Sequence, residues 1–297
     1  MTGIICIDKP KNMSSFMAVK HASRILGVKK AGHTGTLDPM ATGVLVVMLS
    51  HCTRFIELLP EHKKSYTARV RLGITTDTLD ITGEILSEND VNITLEQLLY
   101  VAEQFKGEIL QTPPMYSALK KDGERLYDLA RKGIEVEREQ RKIVIEMLEI
   151  YDFNGTEFSM DVTCSAGTYI RSLCDDIGKA LGCGACMTEL RRTSANGFGI
   201  EKAITLDKLQ QIVDENKAAD YILPIEKALA AYEKIVVTSP QANRFKNGGD
   251  LDYNRLHGEY SIGIYRVYSP EMKFLGLGEI LEEKGNLMVK RVLVSDE

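Results

Sequence analysis

Apolar and polar positions follow two different periods along the chain, and together these periods predict a mixture of strands and helices. Every second residue is apolar at positions 66–72 and 158–164, which is typical of strands with one buried face. The uninterrupted apolar run 44–49 predicts a strand buried on both faces. After Ser14, apolar residues recur at helical spacing as far as Gly27, and Thr94 with Gln97 forms a capping box that opens a second helix through residue 105. Because these segments do not alternate regularly as βαβ units, they predict an α+β fold.

The pattern changes after about residue 232. Short strand candidates lie near 234–238, 260–267, 274–281 and 287–294, and they are separated by glycine-rich or polar turns. Such spacing is typical of a small β-barrel or an open sheet. We place the junction between residues 224 and 233, which predicts two domains, 1–230 and 231–297.

Composition and charge restrict the class of protein. A chain of 297 residues with 44% hydrophobic and 27% charged residues is expected to fold. It contains neither a run of about 20 apolar residues nor a signal peptide, so we expect a cytoplasmic location and no membrane. The net charge is −5, yet residues 1–75 hold 11 Lys or Arg and 4 Asp or Glu. This basic first quarter is compatible with a polyanionic substrate. The alternative is that Lys29-Lys30 and Lys63-Lys64 only solvate loops.

Cysteine and acidic residues offer no complete metal site. Six cysteines are spread along the chain, and only Cys183 and Cys186 have the spacing of half a zinc site. Without a second half, two reduced thiols are the favoured interpretation. Asp77 and Asp80 lie in a turn-rich stretch, where acids more often make turns than bind metal. We predict no metal site.

The segment 32–43 is the strongest candidate for chemistry. It surrounds one carboxylate, Asp38, with three glycines and Pro39, a composition that suits neither a helix nor a strand. An irregular loop that holds Asp38 at a fixed angle is expected, anchored by the strand 44–49 that follows. The alternative is a structural turn in which Asp38 caps local amides.

Three further segments carry cationic or aromatic groups. Lys64 precedes Tyr66 at the start of a strand, a pair that could bind phosphate and stack a base, although Tyr66 could instead be a core residue. Arg171 falls in the first turn of a predicted helix, where a cation opposes the helix dipole, so a carboxylate partner would explain it. Residues 112–133 combine a stiff proline entry, a cationic run and a short helix. They suit an arm that grips nucleic acid, or else a solvated hairpin.

Together these segments resemble one family, the bacterial tRNA pseudouridine synthases of the TruB type. The resemblance covers about residues 3–230, and it rests on seven segments in the family's order: Lys9-Pro10 with Ser14-Ser15, the loop 32–43, Lys64-Ser-Tyr66, residues 75–80, Thr112-Pro-Pro with Tyr116-Ser-Ala, Gly167-Thr-Tyr-Ile-Arg171 and Glu189-Leu-Arg-Arg-Thr193. The C-terminal part is similar to the family's PUA-like RNA-binding domain. Asn12 departs from the family's usual glycine, but asparagine tolerates positive φ. Cys186 replaces a frequent histidine.

The resemblance implies a fold and an activity. The fold is a pseudouridine synthase catalytic domain, with a central mixed, mainly antiparallel sheet flanked by helices, followed by a small PUA-like β-barrel. The activity is isomerisation of uridine 55 in the T loop of tRNA, after that base is flipped out of its stack. No cofactor, metal or obligate protein partner is implied, and we expect a monomer.

The same resemblance assigns roles to residues. Asp38 would be the nucleophile, attacking either the sugar or the base, and Arg171 would pair with it. Tyr66 would stack on the target base and assist removal of the C5 proton. The remaining expected substrate contacts are Tyr169 and Leu190 in the pocket wall, His33 beside the extruded nucleotides, and Lys9 and Lys64.

Two other functions compete with this one. A non-catalytic RNA-binding or tRNA-folding protein could use the same basic surface, and it would not need Asp38. A hydrolase with an aspartate nucleophile could act on a small substrate, but it would have no use for an arm or a terminal barrel.

Overall fold

Two β-sheets and six α-helices form the part of the chain that the computed structural model describes, residues 1–60, 63–281 and 285–293. The strands are β1 (Gly3–Lys9), β2 (Ala31–His33), β3 (Thr42–Leu49), β4 (Lys64–Leu72), β5 (Ile74–Thr76), β6 (Ile85–Glu88), β7 (Gly107–Gln111), β8 (Lys120–Lys121), β9 (Glu124–Arg125), β10 (Arg141–Tyr151), β11 (Glu157–Cys164), β12 (Ala185–Ala195), β13 (Phe198–Gly199), β14 (Glu233–Val236), β15 (Leu251–Asp252), β16 (Gly263–Tyr268), β17 (Phe274–Ile280) and β18 (Asn286–Val292). The helices are α1 (Ser15–Ile25), α2 (Leu95–Glu103), α3 (Leu126–Arg131), α4 (Ile170–Ala180), α5 (Leu206–Asp214) and α6 (Ser239–Lys246). Two additional two-stranded ribbons pair β5 with β6 and β8 with β9.

The larger sheet is mixed and mainly antiparallel, as predicted. Its strand order is β1-β3-β12-β4-β11-β10-β7, with β2 added to β3 and β13 to β12. Within the described ranges, β3 and β12 are its one parallel pair. The smaller sheet has the order β14-β16-β17-β18-β15. The predicted α+β class is therefore confirmed.

The periodic segments form the elements that their patterns predict. Tyr66, Ala68, Val70 and Leu72 of β4 are all buried, and the residues between them are not. They pack with α2 and α4 in one core cluster. The uninterrupted run in β3 is buried along its length, because clusters lie on both of its faces.

Both predicted helix starts are capped by the expected side chains. Ser14 Oγ accepts a hydrogen bond from Met17 N, and Thr94 and Gln97 form a capping box. Asn12 has φ of 62°, so the turn before α1 does tolerate the replacement of glycine. The one departure is Phe16, which belongs to the apolar pattern of α1 and yet is 70% exposed.

The C-terminal segment forms an open sheet that shares a core with the first. The four predicted strands correspond to β14, β16, β17 and β18, although residue 294 lies outside the described residues. Two elements had no clear apolar period and were not predicted, α6 and the two-residue β15. Tyr268, Phe274 and Leu277 pack in the same cluster as Phe55 and Leu229. The smaller sheet is therefore packed against the larger one.

None of the helices in the described part of the chain has the length and hydropathy that a membrane crossing requires.

The parallel contact between β3 and β12 needs a glycine. Gly43 pairs with Arg192 and has φ of 99°. A Cβ built at Gly43 would lie 2.2 Å from the backbone oxygen of Arg192. Because only glycine allows this approach, Gly43 determines how closely the strand after the Asp38 loop meets β12.

We expect Gly43→Ala to lower the free energy of unfolding by more than ~2 kcal/mol, because a backbone clash adds to the strain of a positive φ. Gly248→Ala is the matched control: φ there is 81°, and a Cβ would meet nothing within 4 Å. The control should lose only the strain, about 1 kcal/mol. Denaturant unfolding of both variants measures the difference, and equal losses would contradict this explanation.

Candidate active site

Asp38 lies in an irregular loop between β2 and β3. Both ends of the segment 32–43 are exceptions to the predicted loop, since Gly32 and His33 belong to β2 and Thr42 and Gly43 belong to β3. Ser15 of α1 fastens the loop through two hydrogen bonds: its Oγ donates to Leu37 O at 2.9 Å and accepts from Leu37 N at 2.8 Å. The Leu37 side chain is buried in the core, whereas the Asp38 side chain is 33% exposed. The loop thus presents its carboxylate to solvent from a fixed backbone.

Lys9, the last residue of β1, also holds the Asp38 loop. Its side chain is buried, and Nζ donates to the backbone oxygens of Pro10, Met13 and Pro39 at 2.9, 2.6 and 3.2 Å. Burial lowers the pKa of Lys9 to about 8, against the opposing effect of the Asp38 charge. The ammonium is therefore directed at backbone carbonyls, where it ties the loop to the segment before α1.

Arg192 of β12 is a third support, and it had no predicted role. Its side chain is buried, and the guanidinium donates to Val44 O at 2.7 Å, Gly35 O at 3.1 Å and Thr36 O at 3.3 Å. A sequence signal was available, because Arg192 falls on the same alternating phase as Leu190. The neighbouring Arg191 points the other way and pairs with Asp8 near the surface.

Arg171, in the first turn of α4, forms a two-point ion pair with Asp38. Nε donates to Asp38 Oδ2 at 2.9 Å, and Nη2 donates to Asp38 Oδ1 at 3.2 Å. Nη1 donates to Thr78 O, and Nη2 also donates to Tyr116 O, both at 2.8 Å. Arg171 is only 5% exposed, so nearly all of its hydrogen-bonding capacity is used inside the protein. Asp38 is therefore the carboxylate partner that we expected for a cation placed at the start of a helix.

The turn between β5 and β6, residues 77–84, also contacts Arg171, and we call it the acidic turn because it carries Asp77 and Asp80. Asp80 accepts hydrogen bonds from the hydroxyls of Thr78 and Thr82, and its Oδ2 lies 3.8 Å from Arg171 Nε. Asp77 accepts from the backbone N–H of Glu84. Both acids therefore make the turn, as their setting predicted. In the described residues, no group of acidic, histidine or cysteine side chains is arranged to hold a metal ion.

The cysteines pack as core residues. Each of the six is buried, and no disulfide is found in the described part of the chain. Burial raises the pKa of Cys186 to about 11, which keeps this thiol protonated at neutral pH.

The three predicted pocket residues, Tyr66, Tyr169 and Leu190, are buried or half-buried. Tyr66 and Leu190 are each only 7% exposed and share a core cluster with Leu37. Tyr169, immediately before α4, is half-buried, and its backbone exchanges two hydrogen bonds with the Gln111 side chain. Burial raises the pKa of both tyrosines, and the negative charge of Asp38 adds to the effect. Tyr66 and Tyr169 are therefore close enough to Asp38 for its charge to act on them, and Leu190 packs in the core cluster of Leu37, the neighbour of Asp38.

The two remaining predicted residues border the loop. His33 Nδ1 is buried without a partner among the described residues. Burial lowers the pKa of His33, and the charge of Arg192 lowers it further, so the ring is neutral at physiological pH. Lys64 is beside Gly35, since a Cβ built there would be 3.1 Å from Lys64 Nζ. Of the predicted residues, only Lys9 has its polar group fully engaged by the backbone.

Three family models match the chain in succession. TruB family pseudouridylate synthase (N terminal domain) matches residues 23–170, and tRNA pseudouridylate synthase B C-terminal domain matches residues 171–230. Pseudouridine synthase II TruB, C-terminal, matches residues 234–293. The motif resemblance reached only about residue 230, and the last match extends it into the smaller sheet.

Proteins named tRNA pseudouridine synthase B are similar over nearly the whole length. The one from Clostridium tetani is 46% identical over 285 residues, covering 95% of this chain and 97% of its own. The one from Stutzerimonas stutzeri is 40% identical over 299 residues, covering 100% and 97%. Among solved structures, a chain in a Cbf5-Nop10-Gar1 complex has 29% identity and a TM-score of 0.77, covering 99% of this chain and 85% of that chain.

Matches of this extent define an enzyme class, the pseudouridine synthases, which isomerise uridine in RNA. Within that class the chain belongs to the TruB family, whose members act on tRNA. The predicted family, fold and enzyme class are confirmed.

The buried Lys9 makes stability depend on pH. A lysine in the unfolded chain keeps its proton to about pH 10.5, whereas folded Lys9 loses it near pH 8. Between these values the unfolded state binds more protons, so the stability contributed by Lys9 rises with pH and is lowest below pH 8. We expect the free energy of unfolding of wild type, minus that of Lys9→Met, to rise from pH 8 to 10.5. A difference that stays level or falls would contradict the lowered pKa.

Proposed function

We propose that this chain converts uridine 55 of the tRNA T loop to pseudouridine, with Asp38 as the nucleophile. The observation that carries the proposal is the two-point ion pair from the buried Arg171 to the partly exposed carboxylate of Asp38. A carboxylate that is aimed but still accessible can form a covalent bond to a substrate. Aromatic and aliphatic side chains such as those of Tyr66, Tyr169 and Leu190 would pack against the face of a flipped base.

The reaction needs no redox group. The Asp38 carboxylate adds to the sugar or the base of the nucleoside, and the bond between N1 of uracil and C1′ of ribose breaks. The uracil turns, C5 bonds to C1′, and the carboxylate leaves. The proton lost from C5 is balanced by one gained at N1, so substrate and product have the same composition. Positioning and electrostatics therefore supply the catalysis.

We assign the remaining residues by what their side chains have available. Burial raises the pKa of Tyr66, so its hydroxyl stays protonated at neutral pH, which favours stacking on the base over removal of the C5 proton. Tyr169 and Leu190 shape the pocket. His33 contacts extruded nucleotides as a neutral ring, and Lys64 contacts phosphate. Lys9, held by three backbone oxygens, acts through the position of the loop.

A T loop is a suitable substrate because the target base must leave its stack. Flipping costs a few kcal/mol and costs least where the base is already in a loop. The arm, residues 112–133, is rich in lysine and arginine and would grip the RNA backbone. A chain in the structure of an H/ACA RNP bound to a substrate RNA containing 2′-deoxyuridine is 27% identical to this one, with a TM-score of 0.75, which supports RNA binding by this fold.

We propose a division of labour between the two sheets. Residues 1–230 would form the catalytic domain, including the arm, and residues 231–297 would form the PUA-like RNA-binding domain. The change of sheet between β13 and β14 supports this boundary. A monomer without a protein partner and a cytoplasmic location stay predictions.

The assignment of Asp38 predicts that binding and turnover separate. Asp38→Asn should form no pseudouridine in an unmodified tRNA transcript, because an amide is a poor nucleophile, and it should still bind the transcript through phosphate contacts. Carbodiimide treatment followed by reverse transcription maps pseudouridine, with the stop expected at the T-loop uridine. Filter binding measures affinity.

Asp161→Asn is the matched control, since Asp161 is a hydrogen-bonded carboxylate on β11 that contacts Thr67 and Tyr151. Asp161→Asn should give the same reverse-transcription stop at the T-loop uridine as wild type. A stop with Asp38→Asn would remove Asp38 from the chemistry, and a stop at another uridine would contradict the T-loop assignment. Wild type that binds tRNA without any stop would favour a non-catalytic RNA-binding protein.

A further inference from the structure

Tyr116, at the base of the arm, is hydrogen-bonded both to Arg171 and to the acidic turn that supports Arg171. Its backbone oxygen accepts a hydrogen bond from Arg171 Nη2 at 2.8 Å. Its hydroxyl donates to Asp77 Oδ2 at 2.9 Å, in the acidic turn whose Thr78 oxygen accepts from Arg171 Nη1. Arg171, the acidic turn and the arm therefore form a closed ring of contacts that passes through one tyrosine.

The start of the arm is tied to the start of α4 at three more points. Gln111 exchanges two hydrogen bonds with the backbone of Tyr169, at 3.0 and 2.8 Å. Ser172 Oγ donates to Thr112 O at 3.0 Å. Because Tyr169 and Ser172 flank Arg171 in the sequence, these bonds join the base of the arm to the turn of helix that carries the guanidinium.

Beyond Tyr116 the arm has a small core of its own. Met115, Leu126 and Leu129 are buried against one another in a cluster distinct from the main core. The Tyr116 ring packs at the edge of this cluster. A unit with its own core can move as a rigid body. Tyr116 connects this unit to Arg171.

We propose that Tyr116 is a positioning residue, which links the RNA-gripping arm to the Asp38–Arg171 pair through its hydroxyl bond to Asp77. The proposal rests on the function proposed above. When the hydroxyl bond is intact, the Tyr116 carbonyl stays on Arg171 Nη2 and the guanidinium keeps both contacts with Asp38. When it is broken, the arm's base is freed from the acidic turn, and one acceptor of Arg171 is no longer fixed.

The chemistry of the bond fits a link that persists during the reaction. The pKa of Tyr116 is raised, first by its hydrogen bond to Asp77, so the phenol remains a donor at neutral pH. A hydrogen bond to a charged acceptor is stronger than one between neutral groups. Small errors in the position of a catalytic group cost large factors in rate. The expected defect therefore lies in the chemical step.

The test separates the chemical step from binding. With protein in excess over an unmodified tRNA transcript, the single-turnover rate of pseudouridine formation and the Kd for tRNA are measured for each variant. Tyr116→Phe should slow the chemical step about tenfold or more and change Kd less than about threefold. Asp77→Ala removes the same bond from its other end, together with the bond that Asp77 accepts from Glu84 N–H. It should therefore be at least as slow as Tyr116→Phe, and it tests the link even if Tyr116→Phe does not fold.

Two further variants exclude a merely structural role. The amide of Asp77→Asn can donate to the phenol oxygen, so this variant should restore the rate to within about threefold of wild type. The double variant Tyr116→Phe/Asp77→Ala should be no slower than Asp77→Ala alone, because Asp77→Ala already removes the Tyr116–Asp77 bond together with the bond from Glu84 N–H. Tyr151→Phe is the matched control: it removes a tyrosine hydroxyl bond to Asp161 outside the site, and it should leave the rate unchanged.

Several results would overturn the link. A wild-type rate for Tyr116→Phe or Asp77→Ala would do so, as would a loss confined to Kd, additive losses in the double variant, or a slow Asp77→Asn. A failure of the proposed function is distinct, since wild type itself would then form no pseudouridine, and the link would fall with it.

Discussion

The ion pair between Asp38 and Arg171 is the interaction on which the rest of the site depends. The two residues are 133 positions apart, on a loop and a helix that meet only in the folded protein. A buried guanidinium is costly unless its donors are satisfied, and removing one partner leaves an uncompensated charge. The backbone oxygens of Thr78 and Tyr116 satisfy the donors that Asp38 does not. One side chain thus brings the Asp38 loop, the acidic turn and the arm to a single point.

The loop itself is held by polar side chains that bond to its backbone. Lys9, Ser15 and Arg192 approach it from three elements and bond to oxygens or N–H groups of residues 35–39. A segment with three glycines is entropically expensive to order, and these bonds offset that cost. Because the supports act on the backbone, they leave the Asp38 carboxylate accessible. The close contact of Gly43 with β12 extends the same rigidity into the sheet.

Sequence patterns predicted the elements well because their causes are local. Alternation in β4, the capping box of α2 and the glycine-rich loop around Asp38 are each visible within about ten residues. Asp38 and Arg171 were each identified separately, one from loop composition and one from its unfavourable place at a helix start. The partners of Lys9 and Arg192 were missed because they are backbone oxygens, although the alternating phase of Arg192 in β12 did indicate that its side chain is buried. Tyr116 was missed because its bond to Arg171 uses its own backbone oxygen. Any residue supplies a backbone oxygen, so hydrogen bonds to backbone oxygens cannot be recognised in the amino-acid sequence.

We propose that the geometry of Arg171, and not its charge alone, prepares the Asp38 carboxylate for reaction. The most direct measurement is the single-turnover rate of pseudouridine formation for Arg171→Lys beside Arg171→Ala, at saturating protein. A lysine keeps the positive charge, but it cannot hold both carboxylate oxygens and two backbone oxygens in one plane. We expect both variants to bind tRNA and Arg171→Lys to be nearly as slow as Arg171→Ala. A rate for Arg171→Lys close to that of wild type would contradict it.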